Sequence, residues 1–212
     1  MEWSSLTIGR NDRGVLIGST GCGKTTLARY LVEDEGKPYS VTYDPKVSDN
    51  ISQWVSHEFH TDMDALQHSK SRRLIFRPDI YESLDPRLQD EFFLWVYESK
   101  HRRVYIDEAY ALLGGTNPSF HLQAILSRGR ERGISALIAT QRPRRIPILL
   151  LSESEHFYVF RLNHQSDRAV VREITGIDED EQARLKNYQF FYYNCLTGER
   201  SGVLTLNLGN HG

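Results

Sequence analysis

The sequence predicts an α/β fold, a mostly parallel sheet covered on both faces by helices, with an antiparallel hairpin near its C-terminal end. Three observations predict it. Short continuous apolar runs (Val15-Leu16-Ile17, Leu74-Ile75-Phe76, Val104-Tyr105-Ile106) are separated by amphipathic stretches. Those runs do not alternate apolar with polar, as strands buried on both faces do not. Near the end, two β-rich runs, Phe190–Asn194 and Val203–Leu206, flank a Thr197-Gly198 turn.

The 212 residues, 39% hydrophobic and 25% charged, read as one ordinary globular domain spanning 1–212, with 1–13 a flexible arm. No apolar run approaches the roughly 20 residues of a membrane span. Cys22 and Cys195 make neither a disulfide framework nor a metal pattern, which predicts a reducing, cytosol-like setting. A formal charge of −2 argues against a chain that coats nucleic acid over its whole surface. A local patch remains open, because Arg128, Arg130, Arg132, Arg142, Arg144 and Arg145 fall close together.

In order, the strand Val15–Ile17 ends in glycines and leads into a helix over Thr25–Glu33, with Leu27, Ala28, Leu31 and Val32 on one stripe. Gly36 and Pro38 stop it, and Tyr39–Tyr43 is the second strand. Residues 46–70 are mixed, with a short helix near Met63–Ser69. Leu74–Phe76 is a strand, and Pro86 opens an amphipathic helix through Ser99. Val104–Ile106 ends at Asp107-Glu108. A loop from Gly114 leads to a helix over Phe120–Arg128, and the strand Ser135–Ala139 ends at Thr140-Gln141. His156–Phe160, helices over Ser166–Ile174 and Asp178–Lys186, and the hairpin complete the chain. Ligands of such sheets bind at the carboxyl ends of the strands, here just after Ile17, Tyr43, Ile106 and Ala139.

Gly18-Ser19-Thr20-Gly21-Cys22-Gly23-Lys24-Thr25 matches the phosphate-loop pattern G-x-x-x-x-G-K-[ST]. Its backbone N–H groups and the positive end of the next helix would cradle phosphate, from Gly18 through Thr26. Lys24 would reach the β- and γ-phosphates, and the Thr25 hydroxyl would ligate Mg²⁺. The run ending in Asp107-Glu108 is the matching acidic strand end: Asp107 for the metal, Glu108 to accept a proton from the attacking water. A lone acidic pair there would ordinarily be a helix cap; the upstream phosphate loop reverses that reading. At least two strands lie between Ile17 and Ile106, so the acidic strand is not the phosphate loop's neighbour in sequence. Gln141, ending a strand expected beside the acidic one, can hydrogen-bond the γ-phosphate or the water.

These residues resemble the FtsK–HerA superfamily of DNA-translocating ATPases from about Val15 to Ile174. The likeness rests on Gly18–Thr25, on Tyr43-Asp44-Pro45-Lys46, on Tyr105–Glu108, and on Ser127–Gly133 leading to Ala139–Pro143. It implies a RecA-like P-loop fold working as a homo-oligomeric ring, a hexamer, with ATP and Mg²⁺ as ligands. It also implies an arginine finger at Arg130, eleven positions before Gln141, with Arg128 and Arg132 as neighbours that can be confused with it. The chain resembles the viral genome-packaging branch most, which implies double-stranded DNA, a capsid vertex or membrane-associated packaging proteins as partners, in the host cytoplasm or at the virion's packaging vertex. Arg142, Arg144 and Arg145, with the loop Gly114–Phe120, are the expected DNA-gripping elements in the pore. A cellular HerA- or conjugation-type translocase, a protein-remodelling ATPase and a nucleotide-gated assembly protein are the alternatives.

Overall fold

A computed structural model describes residue 2 and residues 6–33, 39–112 and 118–207. The described strands are β1 (Arg13–Ile17), β2 (Ser40–Tyr43), β3 (Glu58–His60), β4 (Arg73–Phe76), β5 (Arg103–Ile106), β6 (Ser135–Thr140), β7 (His156–Phe160), β8 (Gln189–Asn194), β9 (Glu199–Arg200) and β10 (Leu204–Thr205). They form one sheet in the order β10-β8-β7-β1-β6-β5-β2-β4-β3, with β9 also on β8. From β7 to β3 every pairing is parallel; β8, β9 and β10 add the antiparallel edge.

The helices are α1 (Lys24–Glu33), α2 (Asp49–Ser52), α3 (Met63–His68), α4 (Pro86–Ser99), α5 (Ala109–Leu112), α6 (Phe120–Arg128), α7 (Ile148–Ser152), α8 (Gln165–Thr175) and α9 (Glu179–Arg184). Alternate strand residues serve two cores. Val15, Ile17, Val41, Tyr43, Val104, Ile106 and Ile138 pack under α4, α6 and α8, while Leu16, Ile75, Tyr105, Leu137 and Ala139 pack under α1 and α2. Two covered faces explain why the inner strands contain no solvent-facing polar alternation.

Helix starts follow local chemistry. Asp85 caps α4 by accepting from the Arg87 N–H at 2.8 Å, one step before Pro86. Ser119 caps α6 through the Leu122 N–H. Asp178 and Glu181 form a capping box on α9.

Two expectations are corrected. Residues 6–13 do not form the expected flexible arm: Leu6 and Ile8 are buried beside α1 and Arg13 already belongs to β1. Arg103, itself buried, fastens this segment: its guanidinium donates to the Ile8 carbonyl at 2.6 Å, to the Leu31 carbonyl at the end of α1, and to Ser135 Oγ. The mixed stretch 46–70 hides β3, a three-residue edge strand with Glu58 and Phe59 exposed, too short and too polar for an apolar run. As expected, β6, the strand before Gln141, lies beside the acidic strand β5, and it separates β5 from β1. The predicted helix stop at Gly36 and Pro38 and most of the loop from Gly114 lie outside the described residues.

Candidate functional site

Five parallel strands, β1, β6, β5, β2 and β4, end side by side, and each predicted chemical group of the phosphate site follows one of the first three. Ile17 pairs with Thr140, and Ile106 with Ile138, so Gly18, Gln141 and Asp107 leave the sheet from adjacent strands. The loop after β1 is tied to both neighbours: Gly18 N–H donates to the Thr140 carbonyl at 3.1 Å and Ser19 N–H to the Arg161 carbonyl at 2.9 Å. A side chain at Gly18 would put its Cβ 2.5 Å from Phe160 Cβ and 2.8 Å from Cys22 Sγ. At Gly23, φ is +111° and a Cβ would lie 2.9 Å from the Tyr188 ring, so glycine is required at both positions.

Lys24 is buried and donates to the Gly18 carbonyl at 2.7 Å and the Ser19 carbonyl at 2.9 Å, its ammonium folded over the loop. Thr20 Oγ1 donates to Gln141 Oε1 at 2.7 Å, joining the loop to the end of β6. Tyr105, from the acidic strand, was singled out by no chemical expectation. Its hydroxyl donates to Asp107 Oδ1 at 2.6 Å and also interacts with the Thr25 side chain. The two predicted metal ligands thus meet through one phenol. Burial pushes the Asp107 carboxyl up from the usual carboxylate range, with Asp44 and Glu108 adding repulsion, while Tyr105 and Lys24 pull the other way. Burial likewise pushes Asp44 up, against the Ser48 N–H and Arg77.

A carboxyl held above its ordinary range is a cost of folding at neutral pH. Its folded-state value is raised, so protonation favours the fold and the penalty disappears as pH falls below both values. Asp107→Asn keeps an acceptor for Tyr105 and is expected to raise Tm at pH 7 by a few degrees, about 2–4 °C per kcal/mol for a chain of this size. The gap to wild type should close on acidification through the carboxylate range. A melting series in which the gap is absent, or widens towards acid, would contradict the burial penalty.

Glu108 has φ +68°, a left-handed conformation that costs a non-glycine residue of order 1–3 kcal/mol and is retained where the surroundings enforce it. Its carboxylate is buried; Oε1 has no hydrogen-bond partner, and Oε2 lies 3.4 Å from Lys46 Nζ. Cys22 packs into the core beneath the loop, and burial pushes its thiol up, away from nucleophilic chemistry.

The other predicted residues separate. Arg144 and Arg145 are exposed on the short turn after β6, directly past Gln141. Arg142 is committed: its Nε lies 2.9 Å from Asp167 Oδ2, a carboxylate buried on α8 that also accepts the Arg144 N–H. That ion pair takes Arg142 out of the expected set of free DNA-gripping side chains. Arg130 is remote from the phosphate loop. It sits before the amino end of β6 and pairs with Glu155, which also accepts the Arg13 N–H and ion-pairs with the Arg13 guanidinium. Of its neighbours, Arg132 is bound to α4, donating to the Tyr97 carbonyl and lying 4.2 Å over the Tyr97 ring, whereas Arg128 is exposed. Glu155, Asp167 and Tyr105 carried no motif by which sequence reasoning could find them.

The arrangement fits a polyphosphate bound with a hard divalent cation. Glycines leave room for backbone N–H groups to approach an anion, one buried ammonium lies at the loop, and Thr25 and Asp107 offer oxygen ligands side by side. Among the described residues no cluster of three or more His, Cys, Asp or Glu can hold a metal by itself. A cation here therefore draws further ligands from phosphate and water, as Mg²⁺ does at nucleotide sites.

No family model matches the chain. It is 27% identical over 198 residues to the DNA packaging ATPase P9 of Enterobacteria phage PRD1, covering 87% of this chain and 83% of that protein. Among solved structures, the genome packaging NTPase B204 of Sulfolobus turreted icosahedral virus 2 in complex with sulfate superposes with a TM-score of 0.77 at 16% identity, over 96% of this chain and 100% of that one. The same NTPase in complex with AMPPCP gives 0.75. VirB4 of Thermoanaerobacter pseudethanolicus gives 0.69 at 10% identity, over 93% of this chain and 90% of that one. With the phosphate loop before α1, the acidic end of β5, the interposed β6 followed by Gln141, and the likeness to P9, the chain is similar to the P-loop ATPases of the FtsK–HerA superfamily, and among them to viral packaging ATPases.

Proposed function

We propose that this chain is the ATPase of a viral genome-packaging motor, hydrolysing Mg-ATP to drive double-stranded DNA. The observation that carries the reading is the convergence of Lys24, Thr25, Asp107, Glu108 and Gln141 on one carboxyl edge in a chain similar to P9 over most of its length. Hydrolysis of a γ-phosphate needs charge neutralisation and an oriented water more than covalent chemistry. The loop from Gly18 to Thr26 binds the phosphates through backbone N–H groups. Lys24 exchanges its two carbonyl partners for phosphate oxygens. Thr25 and Asp107 would hold Mg²⁺, which would supply charge neutralisation at the phosphates. Glu108 takes the proton of the attacking water, and Gln141, held by Thr20, orients that water or the γ-phosphate.

The remaining charge comes from a second copy. Arg130 stands at the amino end of β6, whose six residues put it roughly 20 Å from the phosphate edge of its own subunit. It can serve a γ-phosphate only across a subunit boundary, which favours a ring, of six copies in our reading. The chain acts in the host cytoplasm or at the packaging vertex of the virion, with capsid or membrane-associated packaging proteins as further partners. No helix among the described residues is long and apolar enough to cross a membrane.

Arg144 and Arg145 are exposed beside the site, Arg145 resting on Tyr110 with a 3.4 Å hydrogen bond to its hydroxyl, and both can touch DNA phosphates without reading sequence. Double-stranded DNA is therefore expected to stimulate ATP turnover irrespective of sequence, with stimulation falling steeply as salt rises, log K scaling as about −0.9 per phosphate neutralised. Replacing Arg144 and Arg145 together by Ala should lower the stimulation far more than the unstimulated rate. If the two rates fell in parallel, the arginines would belong to a subunit contact. No response of assembled wild-type rings to DNA at low salt would defeat the motor reading.

A further inference from the structure

The turn after β2 holds the last unexplained motif, Tyr43-Asp44-Pro45-Lys46. Tyr43 pairs in register with Ile106, so this turn and the Asp107-Glu108 segment leave adjacent strands together. Asp44 builds the turn. Both its carboxylate oxygens accept the Ser48 N–H at 3.1 Å, and Oδ2 also accepts from Arg77 Nε at 2.7 Å, from the end of β4. Val47, at φ +53°, donates its N–H back to the Asp44 carbonyl at 3.3 Å. From this braced turn Lys46 extends its ammonium to 3.4 Å from Glu108 Oε2.

Ion pairs of half-exposed lysines are commonly worth little, since water competes for both partners. This pair differs in its acidic member. Lys46 is 49% exposed, but Glu108 is 6% exposed, and its Oε1 has no hydrogen bond. A buried carboxylate without compensation is costly, and Lys24, the other ammonium of the site, donates instead to the loop carbonyls. The left-handed backbone at Glu108 adds to what the surroundings must hold in place.

We propose that Lys46 is a positioning residue for Glu108: from the turn braced by Asp44 and Arg77 it supplies the counter-charge of the buried carboxylate and holds one oxygen, leaving the other buried without a protein partner. The proposal rests on the reading of Glu108 as proton acceptor. It makes the whole motif one device, with Asp44 shaping the turn and Lys46 aiming the base on the next strand.

The test is Lys46→Met and Lys46→Arg, each made in the wild-type chain and in Glu108→Gln. Lys46→Met should lower kcat at least about tenfold with KM for ATP changed less than about threefold, because a misaimed group affects the transition state and not ground-state binding. Lys46→Arg, which keeps the charge, should recover most of kcat. Thermal melting reads the pairing separately. Lys46→Met should lower Tm by roughly 2–4 °C in the wild-type chain but leave Glu108→Gln nearly unchanged, since an amide needs no counter-charge. A kcat within about twofold of wild type for Lys46→Met, or equal Tm losses in the two backgrounds, would overturn the proposal. Wild-type turnover by Glu108→Gln alone would instead defeat the proton-acceptor reading, an outcome separable from failure of the Lys46 coupling.

Discussion

Glu108→Gln is expected to bind Mg-ATP with near wild-type affinity and to hydrolyse it slower by roughly 10²–10⁴-fold, the range over which a positioned general base contributes. The amide preserves shape and volume at a position whose φ of +68° leaves little tolerance for repacking, so the fold should survive. It removes the charge that Lys46 compensates and the lone pair that takes the proton. Lys24→Ala should differ in kind: it deletes a phosphate ligand, so affinity and turnover are both lost. Equilibrium binding of a labelled ATP analogue beside single-turnover hydrolysis separates the two variants. Hydrolysis by Glu108→Gln at the wild-type rate would leave Glu108 with only a structural place at the end of β5.

Much of this site was legible because its chemistry is written locally. The phosphate loop needs glycines where a Cβ would strike Phe160 or Tyr188, and a lysine and threonine at the start of the next helix, all within consecutive residues. The acidic strand end and Gln141 were legible for the same reason: each closes a buried apolar run whose carboxyl end must face the ligand edge. The doubly covered sheet followed from strands that show no polar alternation.

What stayed hidden depends on partners far apart in sequence or on charge compensation. Glu155 is an isolated acidic residue until the parallel pairing of β1 with β7 brings it to Arg13 and Arg130. Asp167 looks like a first-turn helix acid; its role in holding the Arg142–Arg144 turn exists only after α8 docks. The basic cluster was read as one surface, but Arg132 lies over Tyr97 and Arg142 pairs with Asp167, which removes both from the solvent-facing set. The segment around Leu6 and Ile8 reads as polar and irregular, and it is fixed by packing beside α1 and by the buried Arg103, nearly a hundred positions later. Which strand fills the gap between β1 and β5 is likewise not read from the strands that intervene in sequence: it is β6, which comes after both.

Arg130→Ala is expected to leave ATP affinity nearly intact while cutting hydrolysis by roughly 10³–10⁵-fold, the range found for arginine fingers. Its placement dictates how this must be tested. In the isolated chain Arg130 is 51% exposed and bound to the buried Glu155, beyond reach of its own phosphate loop. An active role therefore requires release from Glu155 and insertion into a neighbour's site. Mixing Arg130→Ala with Lys24→Ala chains should restore part of the lost turnover, because some boundaries then pair an intact phosphate loop with an intact finger. Rescue should peak at intermediate mixing ratios and vanish on dilution below ring assembly. Arg132→Ala offers a contrast: it removes the contacts with Tyr97 on α4, so its effect should appear in Tm before turnover, with no rescue on mixing. Arg128→Ala tests the remaining neighbour. If Arg128→Ala reproduced the loss and the rescue while Arg130→Ala did not, the finger would move by two positions, and the Arg130–Glu155 pair would revert to a structural tie between β7 and the start of β6. Absence of rescue for both, in rings verified to be mixed, would exclude a finger supplied across the boundary by this segment.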